Sequence, residues 1–286
     1  MTAPTTAPHP GPGPTAERNG VTVAVDGTDA GLRAVRWAVA EAAARGGPLT
    51  LVHAAPYAAG SAGSLRAHAS RILARAYTVA HRLAPDVPAH TVLLDQNPLA
   101  ALVETSQQTG RLGGLLVVGL AGTGHVGDAL VGSLALDLVA GAHGPVVVVP
   151  RGGTTDGPVV AAVGDPAADL GVLTVAHRAA ARRGVRLEVV HAAHNASEGA
   201  DTRDAIERVL RTLALAEPGV VTSVEVLRQR PYEAVVEHSG SAGLLVVGPG
   251  RGHRRLLGST TRTAIRLAGC PVLVAVPAPE TADGPR

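Results

Sequence analysis

The chain has 286 residues, 46% of them hydrophobic, which is enough for two domains of ordinary size. With no Phe, one Trp and three Tyr its cores are aliphatic, and its 25 basic side chains are scattered over a net charge of +2, which argues against nucleic acid as a partner. The lone Cys270 excludes an intrachain disulfide and a cysteine-based metal framework, and with no apolar run of ~18 residues and no basic-then-apolar leader, a cytoplasmic protein without a membrane span is expected.

Residues 1–18 hold five prolines among Thr, Ala and Gly and read as a disordered arm. The β-branched run Val21–Val25 is the first buried strand, and it ends in Asp26-Gly27-Thr28-Asp29. A helix is expected from about Ala30 to Arg45, closed by Gly46-Gly47-Pro48. Leu49–Ala54 is a second strand, Ser64–Leu83 a long helix, and Ala89–Leu94 a third strand. Pro98 opens a helix to about Thr109, and Leu115–Val118 is the fourth strand. The glycine-rich stretch Gly119–Ser133 leads into a helix to Ala142, and Val146–Val149 is the fifth strand.

The pattern then repeats. Ala179–Ala193 parallels Ala42–Ala55, Gln229–Ser239 parallels Gln96–Ser106, LLVVG recurs at Leu244–Gly248, and Gly144–Pro150 has its partner in Cys270–Pro277. These matches keep their order along both halves, so the chain is a tandem duplication. The expected division is 1–18 arm, 19–150 first domain, 151–157 linker, 158–277 second domain and 278–286 tail. Five short apolar strands alternating with helices in each half predict two tandem open α/β domains, each a five-stranded parallel sheet with helices on both faces. The two copies are expected to pair pseudo-symmetrically through VVVV and PVLVAV.

Such sheets place ligands outside the strand carboxyl ends where strand order reverses, which selects the loops after the first and fourth strands. The second of these reads G-x2-G-x9-G-S at Gly119, Gly122, Gly132 and Ser133. Glycines between a buried strand and a helix start let backbone N–H groups approach an anion, and the helix N-terminus adds partial positive charge. Ser133 can cap that helix and offer a hydroxyl to a phosphate oxygen. His125 and Asp128, in the same loop, are expected to face solvent. Asp26 is placed to accept hydrogen bonds from ribose hydroxyls or an adenine amino group; its competing role is a turn residue. His53 and its counterpart His191 suit packed strand positions rather than catalysis.

The layout resembles the universal stress protein family in its tandem form, over nearly everything from Val21 to Pro277. The resemblance is carried by VAVDGTDAGLRAVRWAVAEAAARG, VVGLAGTGHVGDALVGS and GPVVVVP. It implies an adenine nucleotide alpha hydrolase-like fold and binding of ATP or ADP, with or without Mg²⁺. Asp26 and the backbone at Ala54 would contact adenosine; Gly119, Gly122, Gly132, Ser133 and Leu134 would surround the phosphates.

The second copy departs from the pattern. Without gaps the place of Asp26 falls on Gly164, with Asp165 one residue late. Ten residues separate Gly248 from Gly258, against thirteen from Gly119 to Gly132, a loss of ~10 Å of extended chain. Arg251, Gly258 and Ser259 remain as a weak second anion site, with Arg254 and Arg255 nearby. One good nucleotide site is therefore expected, in the first half. No G-x4-G-K-S/T, G-x-S-x-G or H-E-x-x-H motif is present, so a non-enzymatic, nucleotide-dependent stress or metabolic regulator is expected, with at most slow ATP hydrolysis. The rival reading is a scaffold that binds no nucleotide and docks a protein partner. A nucleotidyl transferase is disfavoured by the lack of S-G-G-x-D-S and H-I-G-H motifs. The sequence leaves the protein partner and a homodimer open.

Overall fold

The computed structural model describes residues 18–56, 62–120, 133–193, 195–250 and 256–277. Nearly all of the expected arm, the tail 278–286, Gly122, Gly132, Arg251 and the side chain of Ser133 lie outside the described residues. The first half runs β1 (Val21–Ala24), α1 (Asp29–Arg45), β2 (Leu49–Ala54), α2 (Ala62–Leu83), β3 (Ala89–Leu94), α3 (Pro98–Arg111), β4 (Leu115–Gly119), α4 (Ser133–Gly141) and β5 (Val146–Val149). The second runs β6 (Val159–Ala162), α5 (Leu170–Arg183), β7 (Leu187–Ala192), α6 (Ala196–Ala216), β8 (Thr222–Leu227), α7 (Pro231–Ser239), β9 (Leu244–Val247), α8 (Ser259–Leu267) and β10 (Val272–Val274).

Local chemistry sets the element ends. Thr28 caps α1 by accepting from Gly31 N, and Asn97 caps α3 from its side-chain oxygen with Pro98 in the first turn. Helices α1 and α5 both stop at a glycine in the left-handed region, Gly46 at φ 60° and Gly184 at φ 63°. Their cap N–H groups bond Ala42 and Ala43 in one case, Ala180 and Ala181 in the other, so Ala42 corresponds to Ala180.

All ten strands form one sheet, in the order β3-β2-β1-β4-β5-β10-β9-β6-β7-β8. Pairing is parallel within each half. The two halves meet antiparallel, with Val146 opposite Val274 and Val148 opposite Val272. The expected union through VVVV and PVLVAV is therefore a strand pairing, and it makes two five-stranded sheets continuous.

Side chains alternate across the sheet and divide its core in two. On one face Val23, Leu51, Val117 and Val147 pack with α1, α2, α5 and α6. On the other, Leu116, Val118, Val146 and Val148 pack with α3, α4, α7 and α8. Fully buried Leu49, Leu115, Leu187 and Leu244 lie in the central layers, each contributing about 1.5–3 kcal/mol by leaving water. Ser106 accepts from His143 N and Ser239 from Gly269 N at corresponding places, so the duplication extends to single hydrogen bonds. Among the described residues no helix is long and apolar enough to cross a membrane.

Cys270 is fully buried, as its apolar setting suggests. Burial pushes its thiol up to about 12, against a smaller lowering by a backbone bond involving Leu245. Since the thiolate is the reactive form, Ellman's reagent should titrate one thiol in guanidinium and essentially none in the native protein. Native labelling within minutes would contradict this placement.

Candidate functional site

Strand order reverses between β1 and β4 in the first half and between β6 and β9 in the second. A crevice outside the carboxyl ends of these strands is where an open parallel sheet binds ligands. In the first half β2, β1 and β4 are neighbours, and their ends bring Ala54, Asp26 and Gly119 to one edge.

Asp26 follows β1 and is exposed. Its Oδ1 accepts from Thr28 N at 2.9 Å and from Thr28 Oγ1 at 2.6 Å. The turn and ligand roles are compatible, because Oδ2 makes no hydrogen bond among the described residues. The turn spends one oxygen and fixes the carboxylate while its second stays available. Gly31 lies beside it, where a Cβ would fall 2.8 Å from Asp26 Oδ1. Gly119 has a sterically stricter place: a Cβ there would lie 2.3 Å from the Ala30 carbonyl oxygen. The end of β4 thus rests on the first turn of α1, which joins Gly119 to the Asp26 turn.

His53 Nδ1 bonds the Val25 carbonyl oxygen at 2.7 Å, and His191 does the same to Val163 at 2.9 Å. Both histidines tie the second strand of a half to the end of its first, as the packed reading requires. α4 opens at Ser133, and Leu134 in its first turn is 48% exposed, an apolar side chain beside the expected phosphate loop. No group of three or more His, Cys, Asp or Glu could hold a metal ion among the described residues.

The second half closes its edge differently. Val25 N bonds Val52, and Val163 N bonds Val190, so Gly164 occupies the place of Asp26. Asp169, which the sequence reading passed over, folds back so that Oδ2 accepts from Gly164 N at 2.8 Å and Asp165 N at 3.1 Å. Asp165 in turn accepts from Ala167 N at 3.0 Å. Gly258 N donates to the Pro249 carbonyl oxygen at 3.0 Å, and Thr261 Oγ1 to that of Gly248 at 2.8 Å. Ser259 begins α8. A cavity of about 390 Å³ lies here among Val163, Val172, Val190, Val235 and Val247, with Asp169 at its edge. Three backbone amides of this edge are thus bonded within the protein, those of Gly164 and Asp165 to Asp169 and that of Gly258 to the Pro249 carbonyl oxygen.

A model of the universal stress protein family matches this chain twice, over residues 18–150 and 157–276. The chain belongs to the universal stress protein family. A universal stress protein of Mycobacterium tuberculosis is 32% identical over 285 residues, covering 90% of this chain and 96% of its own. One from Mycobacterium bovis is 30% identical, covering 90% and 94%. The crystal structure of a universal stress protein from Archaeoglobus fulgidus superposes with a TM-score of 0.73 at 17% identity, covering 93% of this chain and 98% of that one; it agrees in fold. Two universal stress units on one chain account for the paired strand orders and the repeated histidine and serine bonds.

Proposed function

We propose that this universal stress protein binds ATP or ADP in its first half and acts as a nucleotide-dependent regulator, through conformation rather than catalysis. The observation that carries the reading is the Asp26 carboxylate: one oxygen is locked by Thr28, and the other is left on the ligand edge beside Gly31 and Gly119. Asp26 and the backbone at Ala54 would hold adenosine, and the Gly119–Ser133 loop, with the α4 N-terminus, would hold the phosphates. The backbone amides of that loop would face the phosphate oxygens, and Mg²⁺ would share those oxygens. Residues 19–150 and 158–277 act as the two domains in this reading, the second being a degenerate copy. The closed edge around Asp169 and the spent Gly258 amide support that assignment.

A scaffold role fits the second half better than the first, because its cavity is largely apolar. Nucleotide released by heat from the purified chain, identified by mass, should come to one per chain. Two per chain would overturn the asymmetry, and no binding of labelled ATP or ADP up to millimolar concentration would overturn the nucleotide reading. Asp26→Ala should weaken ATP about tenfold or more in equilibrium dialysis, as loss of a charged hydrogen-bond partner does. An ATP turnover typical of dedicated ATPases, abolished by the same substitution, would contradict the non-catalytic role.

A further inference from the structure

The largest cavity among those described lies away from both sheet edges, at the seam between the halves. It holds about 820 Å³, with α1 on one side, the C-terminal end of α5 on the other, and the connecting segment Gly152–Gly157 across it. Four guanidinium groups line it, Arg33 and Arg36 from α1 and Arg182 and Arg183 from α5, against two carboxylates, Glu41 and Asp156. The excess is two positive charges, 4 − 2.

Those carboxylates do not neutralise the arginines evenly. Glu41 is 3% exposed, and its oxygens are taken by Arg45 at 2.7 Å and Arg183 at 2.8 Å, with Arg182 at 3.9 Å. Among the described residues Arg33 bonds only the Pro150 carbonyl oxygen, at 3.3 Å, and Arg36 has no ion pair. Arg183 lies over the Trp37 ring, 5.2 Å from its centre. Three buried donors in this lining have no acceptor among the described residues: Trp37 Nε1, Arg182 Nε and Arg183 Nε. Buried polar groups are almost always paired, so three unsatisfied donors behind a lining with an excess of guanidinium leave this seam short of acceptors. Burial, with Arg45 as the next cause, lowers the Arg182 pKa, as expected where cations crowd.

We propose that this seam cavity is a second ligand site, for a phosphoanhydride anion held between Arg33 and Arg36 of one half and Arg182 of the other. Guanidinium forks bind phosphate oxygens in pairs, and two helices carrying such forks suit a ligand with more than one charged group. The connecting segment is fixed against the second half, since a Cβ on Gly153 would lie 1.8 Å from the Gly269 carbonyl oxygen. An anion here therefore touches both halves and their tether at once. The site is independent of the nucleotide loop.

Trp37 is the only tryptophan of the chain, so its fluorescence reports on this cavity alone. Inorganic pyrophosphate, titrated into the full chain at constant ionic strength, should change Trp37 emission saturably at submillimolar concentration. The double variant Arg33→Gln/Arg36→Gln should weaken this about tenfold or more. Arg36→Gln alone, at an exposed helix position, serves the same test if the double variant does not fold. Gly132→Val, which blocks the proposed nucleotide loop, should leave the pyrophosphate response intact, so the two sites fail separately. Calorimetry with ADP on the Gly132→Val chain separates the sources: stronger binding than pyrophosphate assigns the site to a nucleotide diphosphate, weaker binding to the free anion. A Trp37 change matched by chloride, one unaltered in the arginine variants, or a response to succinate but not pyrophosphate would overturn the proposal.

Discussion

Glu41→Ala should lower the unfolding free energy by about 3–5 kcal/mol, because removing one partner of a buried ion pair strands the others. Arg45, Arg182 and Arg183 would then face one another with no carboxylate between them. Burial pushes the Glu41 carboxyl up, but Arg183, Arg45 and, more weakly, Arg182 outweigh it and hold it below its ordinary value of 4.5. The sign of the pH dependence follows. A carboxyl with a depressed folded pKa contributes its full stabilisation above the unfolded value, near 4.5, and loses it as pH falls through the folded value. Urea melts should therefore show the wild-type advantage over Glu41→Ala at pH 7 and a shrinking difference below pH ~4. Glu41→Gln, which keeps an acceptor but no charge, should fall between. Glu188 gives the contrast: its 2.6 Å pair with Arg186 is largely exposed on the arginine side, and Glu188→Ala should cost about 0–1 kcal/mol. Equal costs at the two positions would refute the role assigned to the seam.

Gly119→Ala should be damaging where Gly248→Ala is mild. Gly119 ends β4 and Gly248 follows β9 at the corresponding position, yet a Cβ on Gly119 meets the Ala30 carbonyl oxygen at 2.3 Å, whereas the nearest atoms to one on Gly248 are side-chain atoms, Asp169 Oδ1 at 3.1 Å and Val172 Cγ2 at 3.5 Å. Backbone must move in the first case; a side chain can turn in the second. Overpacking of this kind costs about 1–3 kcal/mol. At Gly119 the displaced segment is the first turn of α1, whose cap Thr28 orients Asp26. ATP affinity should accordingly drop by more than tenfold in Gly119→Ala. It should stay within about twofold in Gly248→Ala, as measured by dialysis on folded protein. Nucleotide affinity unchanged in Gly119→Ala would separate β4 from the proposed site.

The architecture was legible because buried parallel strands leave short, unbroken apolar runs such as Leu115–Val118 and Val146–Val149, and because each run occurs twice. Even the junction of the halves could be read: of the edge strands of the two half-sheets, VVVV and VLV are wholly apolar, whereas β3 and β8 carry His90, Thr91, Thr222, Ser223 and Glu225. Helix-capping glycines and the histidine pair were equally visible. Asp169 was not. The ungapped match stops at Gly164 and Asp165, whereas the carboxylate that closes the second edge comes from the start of the next helix and reaches back to both N–H groups. Glu41 was hidden for another reason. Its partner Arg45 lies one turn away and makes an ordinary surface pair on paper, but Arg183, 142 residues later, enters only when α1 and α5 come together. Long-range charge pairing leaves no periodic trace.

Glu41 also tells what fusing the two copies made possible. Counting back from the corresponding helix ends at Gly46 and Gly184, Arg45 corresponds to Arg183 and Glu41 to Ala179. One carboxylate is thus shared, at 2.7 and 2.8 Å, by two arginines that are the same residue in the two copies. A dimer of identical chains obeys its two-fold axis and must present every group twice. Two glutamates would then crowd the same spot, or none would be there. Only an unequal pair can seat a single side-chain carboxylate between its two equivalent arginines, and once it does, neither half can be exchanged for a second copy of the other.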